Sequence, residues 1–430
     1  MYSSKKYKIS RNAYTAECAF EYFVSLIVAD SFLARLLTHL GMSDSAVGII
    51  SSLISLSFLF QLFTVPVLRK IKKKKNFSLF FHILGQLSFG LIYLIPFIDT
   101  GEKEKKAICV IFILLAYFGN YFVNSYIYYL GNSYVSPDKL GIFSGRKEMI
   151  SLLSGVFIQL VSGLAVDRFI DSGNTEGAFI FCSVSVFLYS AFDLITLILI
   201  SNRDKETDNS ESPPLSEILQ NTLGKKDYRK VLYYTCIYKA AMYAVVGFVG
   251  TYKLNELGMS MTKIQVINIA ACLGRFAFSP LFGKYSDKHS FISGSVPGLA
   301  VMALSQVALM FTIKSTAVLV IVYTVLYNIS LAGTHSNSLN MTYNVASEKY
   351  FSEALAIKNA LSGLVGFFSS VICGKILSAF QAKERTLAGL TVYGQQLLAL
   401  IGLLLTVIAL IYLKKSLCSI NKNKTKGENV

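Results

Sequence analysis

The chain has 430 residues, of which 53% are hydrophobic and only 15% are charged, and its mean hydropathy is +0.52. A composition this apolar excludes a soluble globular fold and indicates a membrane protein. The formal net charge of +16 would suit a nucleic-acid-binding protein, but most basic residues lie in short stretches between apolar segments. We therefore expect no nucleic-acid partner.

Twelve apolar segments of about 20 residues follow one another along the chain. About 20 residues at 1.5 Å each cross the 30 Å hydrocarbon core of a bilayer, where the backbone must satisfy its own hydrogen bonds. Each segment is therefore predicted to be a transmembrane helix, and the spacing does not suit the shorter alternating strands of a barrel. The predicted spans are residues 13–36, 44–67, 77–98, 107–130, 148–167, 177–200, 231–252, 262–283, 291–313, 316–341, 357–380 and 388–413.

Lysine and arginine are shared unevenly between the two sets of loops. If both termini are cytoplasmic, the cytoplasmic loops and tails carry 27 of the 41 basic residues, the opposite loops carry eight, and six lie within the predicted spans. This excess is the positive-inside pattern, and it predicts a multi-pass protein of the plasma or inner membrane with both termini in the cytoplasm. No cleavable signal peptide is predicted, because the first span is too long for one.

The only long polar stretch between the ends runs from residue 201 to 230 and includes Pro213-Pro214. Its mixed charges and prolines predict a cytoplasmic linker, in which residues 215–223 form a short amphipathic piece. The linker separates an N-terminal six-helix bundle, residues 1–200, from a C-terminal one, residues 231–413. Residues 414–430 form a basic cytoplasmic tail.

The two halves resemble each other at matching places. Residues 146–163 align without gaps to residues 357–374, and shorter matches occur after the first and seventh spans and after the second and eighth. The identical pairs in the long match are Lys147/Lys358, Ser151/Ser362, Leu153/Leu364, Gly155/Gly366, Phe157/Phe368 and Gly163/Gly374. Six spans on each side of a linker, related by a shift of 211 to 217 residues, predict a parallel duplication. The paired glycines are expected to allow close helix packing.

With six spans on either side of a cytoplasmic linker, the chain resembles the major facilitator superfamily, of prokaryotic type and without an assigned subfamily. That family carries a G-x-x-x-D-[RK] motif after its second and eighth helices. Gly283, Asp287 and Lys288 fit the second copy, whereas residues 65–70 have lost both Gly and Asp at the first. Residues 163–168 (GLAVDR) also fit the pattern, but at the outer end of the fifth span. The resemblance implies two pseudo-symmetric six-helix bundles that rock about a central cavity lined by helices 1, 4, 7 and 10.

Charged residues at membrane depth need a partner, a wet cavity or a function. Glu17 and Glu21 share one face of the first span, and Lys239 lies in the seventh span at nearly the depth of Glu21. We hypothesise that Glu21 and Lys239 face each other across the cavity, as a pair broken by substrate or as a proton site. Glu17 is expected at the cytoplasmic interface near Arg11.

Polar side chains concentrate in the fourth and tenth spans. Tyr117, Asn120, Asn124 and Tyr128 form one stripe at helical spacing. Tyr327, Asn328 and His335 are the corresponding candidates in the tenth span. Amide and hydroxyl groups on a wet face can bind a polar solute, although helix–helix hydrogen bonds would use the same groups. His335 is either a proton carrier or a neutral side chain that forms hydrogen bonds with its neighbours.

Two other polar residues within the spans are expected to have structural roles. Arg275 and Asp193 are expected to form structural pairs within the bundle.

The four histidines are far apart, no nucleotide-binding or nucleophile motif occurs, and the seven cysteines contain no metal-binding or redox spacing. The sequence therefore predicts no enzyme activity, no metal and no cofactor.

The favoured hypothesis is a monomeric secondary transporter that moves a small polar solute by alternating access, with proton coupling through Glu21 or His335. The alternative is a proton-driven exporter of drugs or toxic metabolites with the same fold. A transporter-like sensor is a third hypothesis. It is disfavoured because such proteins usually carry an extra cytoplasmic domain, and none is predicted in this sequence.

Overall fold

The computed structural model describes residues 5–69, 71–135, 140–201, 215–347, 350–382, 386–387 and 390–417. The described residues form helices, apart from one two-stranded antiparallel hairpin that pairs Thr386 with Thr391 and Leu387 with Leu390. The predicted all-α class is confirmed. Residues 202–214 of the predicted linker, Lys70 of the basic run and the tail after residue 417 lie outside the described residues.

The elements follow the predicted spans in order. The helices are α1 (Lys5–Ile27), α2 (Asp30–His39), α3 (Asp44–Ser51), α4 (Leu53–Ser57), α5 (Gln61–Arg69), α6 (Lys74–Ile92), α7 (Glu102–Asn132), α8 (Leu140–Asp171), α9 (Thr175–Leu199), α10 (Leu215–Asn221), α11 (Lys226–Tyr243), α12 (Val246–Thr251), α13 (Met261–His289), α14 (Phe291–Met310), α15 (Val318–Val345), α16 (Phe351–Gln381) and α17 (Gly394–Tyr412). The strands are β1 (Thr386–Leu387) and β2 (Leu390–Thr391), and π-helical turns extend α12 and α17 over Tyr252–Glu256 and Leu413–Leu417.

These helices group into twelve segments that correspond to the twelve predicted spans. Ten segments are long and apolar enough to cross a membrane. The other two are the first, whose helix α1 carries Glu17 and Glu21 among its apolar residues, and the third, whose helix α6 opens with Lys74 and Lys75. The helix α10 occupies most of the amphipathic piece in the linker, and the hairpin β1–β2 takes up the expected start of the twelfth span.

The first and seventh spans are interrupted rather than continuous. α1 ends at Ile27 and α2 starts at Asp30, which adopts a left-handed backbone with φ of 46°. α11 ends at Tyr243 and α12 starts at Val246. Asp30 and Val246 are 216 residues apart, within the shift that relates the two sequence halves. The two breaks therefore occupy equivalent places in the repeat.

Contacts divide the chain into two compact units. The N-terminal unit comprises residues 1–43, 60–210 and 260–266, and the C-terminal unit comprises residues 44–59, 211–259 and 267–430. The C-terminal unit includes α3 and α4 because these two helices pack against α16, and α3 also packs against α12. The grouping therefore departs from the sequence boundary at residue 200.

The two units repeat the same helix pairings. In the N-terminal unit α1 packs against α8 and α9, and α6 packs against α7 and α9. In the C-terminal unit α11 packs against α16 and α17, and α14 packs against α15 and α17. Each pairing joins corresponding helices of the two sequence halves, as a duplication requires.

Glycines allow the closest of these approaches. A methyl group placed on Gly298 of α14 would lie 2.9 Å from the backbone carbonyl carbon of Gly333 in α15. Gly119 of α7 approaches Gly85 of α6 in the same way, with 2.8 Å between its added methyl group and the Gly85 Cα. These pairs set the spacing of the polar side chains on the same helices.

Candidate functional site

A buried ion pair lies inside the N-terminal unit. His82 of α6 and Asp193 of α9 are 1% and 0% exposed, and His82 Nε2 lies 2.5 Å from Asp193 Oδ2. α6 and α9 pack directly against each other, which brings the two side chains together. The structure thus gives Asp193 the helix partner expected from the sequence, whereas His82 was not singled out there.

A chain of hydrogen bonds extends from this pair across three helices. The Gln86 amide nitrogen donates to Asn120 Oδ1 at 3.2 Å and reaches Asp193 Oδ2 at 3.5 Å, while Ser190 donates to Gln86 Oε1 at 3.1 Å. The Asn120 amide donates to the Ala116 carbonyl at 2.8 Å. Asn120 is 7% exposed, so its described role is to connect α6 and α7.

Glu17 and Glu21 of α1 belong to the same charged group. Glu17 is 1% exposed and accepts a hydrogen bond from Cys18 Sγ at 3.2 Å, so it is buried in the bundle rather than at an interface beside Arg11. Glu21 is partly exposed. Both carboxylates act electrostatically on His82. The N-terminal unit therefore gathers three acidic side chains around one histidine at membrane depth.

Lys147 of α8 is the basic member of this neighbourhood. Its Nζ donates to the Tyr14 hydroxyl at 3.1 Å and lies 4.3 Å from the centre of the Tyr14 ring and 5.4 Å from that of Tyr128. Its charge also acts on Glu21. We name Glu17, Glu21, His82, Asp193 and Lys147 the acidic cluster.

The stripe predicted on the fourth span is divided between two environments. Tyr117 is 5% exposed and packs edge-on against Phe89, with 5.4 Å between the ring centres, and Asn120 is buried as described above. Asn124 is half-buried and Tyr128 is 43% exposed. Of the four residues in the stripe, Asn124 and Tyr128 therefore keep exposed surface, whereas Tyr117 and Asn120 are buried.

The C-terminal unit carries four basic or potentially basic side chains on four helices. They are Lys239 of α11, Arg275 of α13, His335 of α15 and Lys358 of α16, and we name them the basic cluster. Lys239, Arg275 and Lys358 all act electrostatically on His335, and Lys239 acts on Lys358.

Two lysines of the basic cluster differ in their partners. Lys358 is 3% exposed, and its Nζ donates to the Ser338 carbonyl at 2.9 Å, to Thr342 Oγ1 at 2.8 Å and to Ser338 Oγ at 3.4 Å. Lys358 lies inside α16, which begins at Phe351, and within the predicted span 357–380. Lys239 is partly exposed, with Nζ over the rings of Phe58 at 5.4 Å and Tyr243 at 5.5 Å.

Two helices of the basic cluster, α11 and α15, also carry hydroxyl and amide groups. Tyr327 is 8% exposed and stacks on Tyr323 with 5.8 Å between ring centres, and the Asn328 amide donates to the Thr324 carbonyl at 2.9 Å. The Tyr238 and Thr334 hydroxyl oxygens lie 3.0 Å apart. His335 is exposed, so it is the most accessible of the three candidates predicted on the tenth span.

The two sequence patterns at span ends have different surroundings. Gly283, Asp287 and Lys288 are exposed near the end of α13, and a methyl group added to Gly283 would touch nothing within 4 Å. Asp167 of α8, in the second pattern, accepts hydrogen bonds from the backbone amides of Met261 at 2.8 Å and Thr262 at 2.7 Å. It thereby satisfies free amides at the start of α13.

Sequence reasoning left four polar members of these sites without a role. His82 and Gln86 lie in an apolar span without spacing that marks them, so only helix packing shows their part. Lys147 and Lys358 were visible as an identical pair in the internal alignment. Among the described residues, no group of three His, Cys, Asp or Glu side chains could hold a metal ion.

Comparison with known proteins gives one family. Residues 18–370 match the family model described as Major Facilitator Superfamily. No curated protein sequence matches the chain. Among solved structures, the chain is similar to a mutant of the nucleoside transporter NupG (TM-score 0.73, 10% identity), covering 94% of this chain and 99% of that one. It is also similar to a D-xylose-proton symporter (TM-score 0.69, 15% identity, 96% and 98% covered) and to an auto-inhibited peptide transporter of the POT family (TM-score 0.67, 10% identity, 96% and 97% covered).

Proposed function

Because the chain belongs to the major facilitator superfamily, we propose that it moves a small polar solute across the bilayer by alternating access, coupled to proton flow. Family membership makes it a multi-pass membrane transporter rather than an enzyme. The proposal adds the class of solute and the coupling ion. It also includes a monomeric state, a plasma- or inner-membrane location and cytoplasmic termini, and the distribution of basic residues supports the last of these.

The observation that carries the proposal is the acidic cluster. A charged side chain at membrane depth costs several kcal/mol, so such residues persist where they pair, line a wet cavity or act in transport. His82 and Asp193 pair with each other, but Glu17 and Glu21 have no basic hydrogen-bond partner among the described residues. Two carboxylates on one helix face, next to a buried histidine, are suited to hold and release a proton.

The accessibility of the two carboxylates suggests an order of events. Glu21 is partly exposed and can exchange protons with water, whereas Glu17 is buried one helical turn away. Lys147 acts on Glu21 and becomes its counter-charge when Glu21 is ionised. We propose that Glu21 is the coupling residue. His335, the other sequence candidate, is acted on electrostatically by three basic residues, whereas Glu21 lies in a group with two further carboxylates.

The polar nature of the solute rests on the accessible side chains. Asn124 and Tyr128 in the N-terminal unit, and Asn328 and His335 in the C-terminal unit, keep part of their surface exposed at membrane depth. Amide, hydroxyl and imidazole groups recognise hydroxylated or amide-bearing molecules through hydrogen bonds. The similar solved structures named above are described as carriers of nucleosides, xylose and peptides, all of them polar. Gly283, Asp287 and Lys288 are proposed as the gating motif.

Proton flux in reconstituted vesicles tests the proposal. A pH gradient is imposed, and pooled polar metabolites or pooled lipophilic cations are added while the internal pH is followed. Collapse of the gradient with the metabolites in wild type, absent in Glu21→Gln, is the expected result. Glu102→Gln, at an exposed position near the start of α7, is the matched control and should behave as wild type.

Each other outcome has a defined meaning. Collapse only with lipophilic cations would replace the proposal by the drug-exporter hypothesis. Collapse with metabolites that persists in Glu21→Gln would remove the coupling role of Glu21. Absence of any solute-dependent proton flux would contradict proton coupling.

A further inference from the structure

The long helices of the C-terminal unit have an unbalanced charge. Lys239, Arg275 and His335 lie well inside α11, α13 and α15, and Lys239 is about 20 Å along α11 from its start at 1.5 Å per residue. The charged groups that act on His335 are Lys239, Arg275 and Lys358, all of them basic. A group of cations at membrane depth is unfavourable unless an anion compensates it.

No carboxylate in the interior of these helices supplies that compensation. α14, α15 and α17 contain neither Asp nor Glu, and the acidic residues of α11, α13 and α16 are Asp227, Asp287 and Glu353. All three lie within three residues of a helix end. Asp227 binds Lys230 at 3.1 Å, and Asp287 is exposed. The acidic residues of these helices are therefore remote in sequence from the basic cluster.

Lys239 is the member that lacks a hydrogen-bond acceptor. Its ammonium contacts the faces of Phe58 and Tyr243, and no described residue accepts a hydrogen bond from it. An ammonium group has three N–H donors. Aromatic faces attract its positive charge but do not provide the oxygen acceptors that these donors can bind. Lys358, by contrast, donates to three oxygens within its own unit. The protein therefore uses the hydrogen-bond donors of Lys358, whereas those of Lys239 remain available to a ligand.

Accessible donors lie beside Lys239. Lys239 is partly exposed and His335 is exposed, so the surrounding helices do not bury either side chain completely. Arg275 acts electrostatically on the Tyr238 and Tyr327 hydroxyls, so its positive charge belongs to the same electrostatic neighbourhood. Ammonium, guanidinium and phenol groups together match the oxygen atoms of a carboxylate or phosphate.

We propose that the basic cluster is an anion-binding site, in which Lys239 binds the carboxylate or phosphate group of a small organic solute and Arg275 supplies a second positive charge. This inference rests on the proposed function, since the solute bound here is the solute transported. It narrows that solute from polar to anionic. Lys358 has a different role, because its donors are used to hold α15 against α16.

The test is ligand-dependent thermal stabilisation of the purified full-length chain in detergent, followed with a thiol-reactive dye on its native cysteines. Glucose, gluconate and glucose 6-phosphate serve as matched probes, because they share a carbon skeleton and differ in their charged group. Acetate and inorganic phosphate present each group alone, and potassium chloride matches the ionic strength. We expect stabilisation by carboxylates or by phosphates, whichever group fits, and none by glucose or chloride.

Variants assign the effect to Lys239. Lys239→Met should weaken anion binding by about ten- to hundredfold, because a charge-assisted hydrogen bond is lost. Lys239→Arg should retain binding, and Lys415→Met, at an exposed position beyond α17, should match wild type. If Lys239→Met does not fold, Lys239→Gln replaces it. Stabilisation by none of the four anions, or stabilisation of Lys239→Met or Lys239→Gln equal to that of the wild type, would overturn the anion site.

Vesicle uptake separates this inference from the proposed function. Proton-coupled uptake of neutral solutes that is unchanged in Lys239→Gln would reject the anion site and leave the transporter proposal intact. Anion binding that depends on Lys239, without uptake of any solute, would reject proton-coupled solute transport and leave the site intact. Uptake of the anion that binds, lost in Lys239→Gln, would support both.

Discussion

His82 Nε2 lies 2.5 Å from Asp193 Oδ2, and neither residue has more than 1% of its surface exposed. The two residues are 111 positions apart in sequence and meet because α6 packs against α9. This pair anchors the interior of the N-terminal unit beside Glu17 and Glu21, and its energetics can be measured.

Breaking the pair from one side should destabilise the protein more than removing both partners. Asp193→Asn or His82→Leu leaves one buried polar partner uncompensated, at a cost of about 3–5 kcal/mol. The double variant His82→Leu with Asp193→Leu should recover much of that loss. The coupling free energy between His82 and Asp193 is obtained from thermal unfolding in detergent of the wild type, the single variants and the double variant. Additive effects in this cycle would show that the two side chains do not interact.

Loss of the Asp167 carboxylate should loosen the start of α13. Ser260 Oγ accepts from the Lys263 amide, while Asp167 accepts from the amides of Met261 and Thr262. Replacing a capping side chain by alanine costs about 0.5–2 kcal/mol, so Asp167→Ala should lower the melting temperature and speed hydrogen exchange at residues 261 and 262. Asp171→Ala, at the exposed end of α8, is the control. Unchanged exchange at both amides in Asp167→Ala would refute the capping role.

Two glycine substitutions should have opposite effects on the free energy of unfolding. Gly298→Ala places a methyl group 2.9 Å from the Gly333 backbone and should cost about 1–3 kcal/mol through overpacking. Gly283→Ala meets nothing within 4 Å and should stabilise α13 by about 0.5–1 kcal/mol, since alanine favours helix more than glycine does. Comparison of melting temperatures tests both. A tolerated Gly298→Ala would mean that α14 and α15 are less tightly packed than the structure shows.

The polar stripe of α7 should show two classes of accessibility. In a background without native cysteines, Asn124→Cys and Tyr128→Cys should react with a water-soluble maleimide at least about ten times faster than Tyr117→Cys and Asn120→Cys, because reagent access requires exposed surface. The wild-type positions are half-buried and 43% exposed in the first pair, against 7% or less in the second. Equal labelling of all four positions would contradict the division of the stripe.

The sequence predicted which segments are helices and how they are ordered, because both depend on local properties. A run of apolar residues long enough to cross a bilayer is visible without any knowledge of packing. The internal alignment also paired Lys147 with Lys358, and both prove to be interior to helices. The breaks after Ile27 and Tyr243 escaped prediction, since neither contains the proline or glycine that usually marks an interrupted helix.

The tertiary structure decided which polar residues act together. Spacing on α7 placed Asn120 and Asn124 on one face, but only the approach of α6 at Gly85 and Gly119 buried the first and left the second accessible. The partner of Asp193 likewise depends on the rotation of α6 and α9 about their axes, which a uniformly apolar sequence does not encode. Sequence alone therefore determined the membrane fold, the duplication and the presence of charges in the spans. Helix packing determined which charges are paired and which keep exposed surface, as Glu21 and Lys239 do, because pairing depends on distances between residues far apart in the chain.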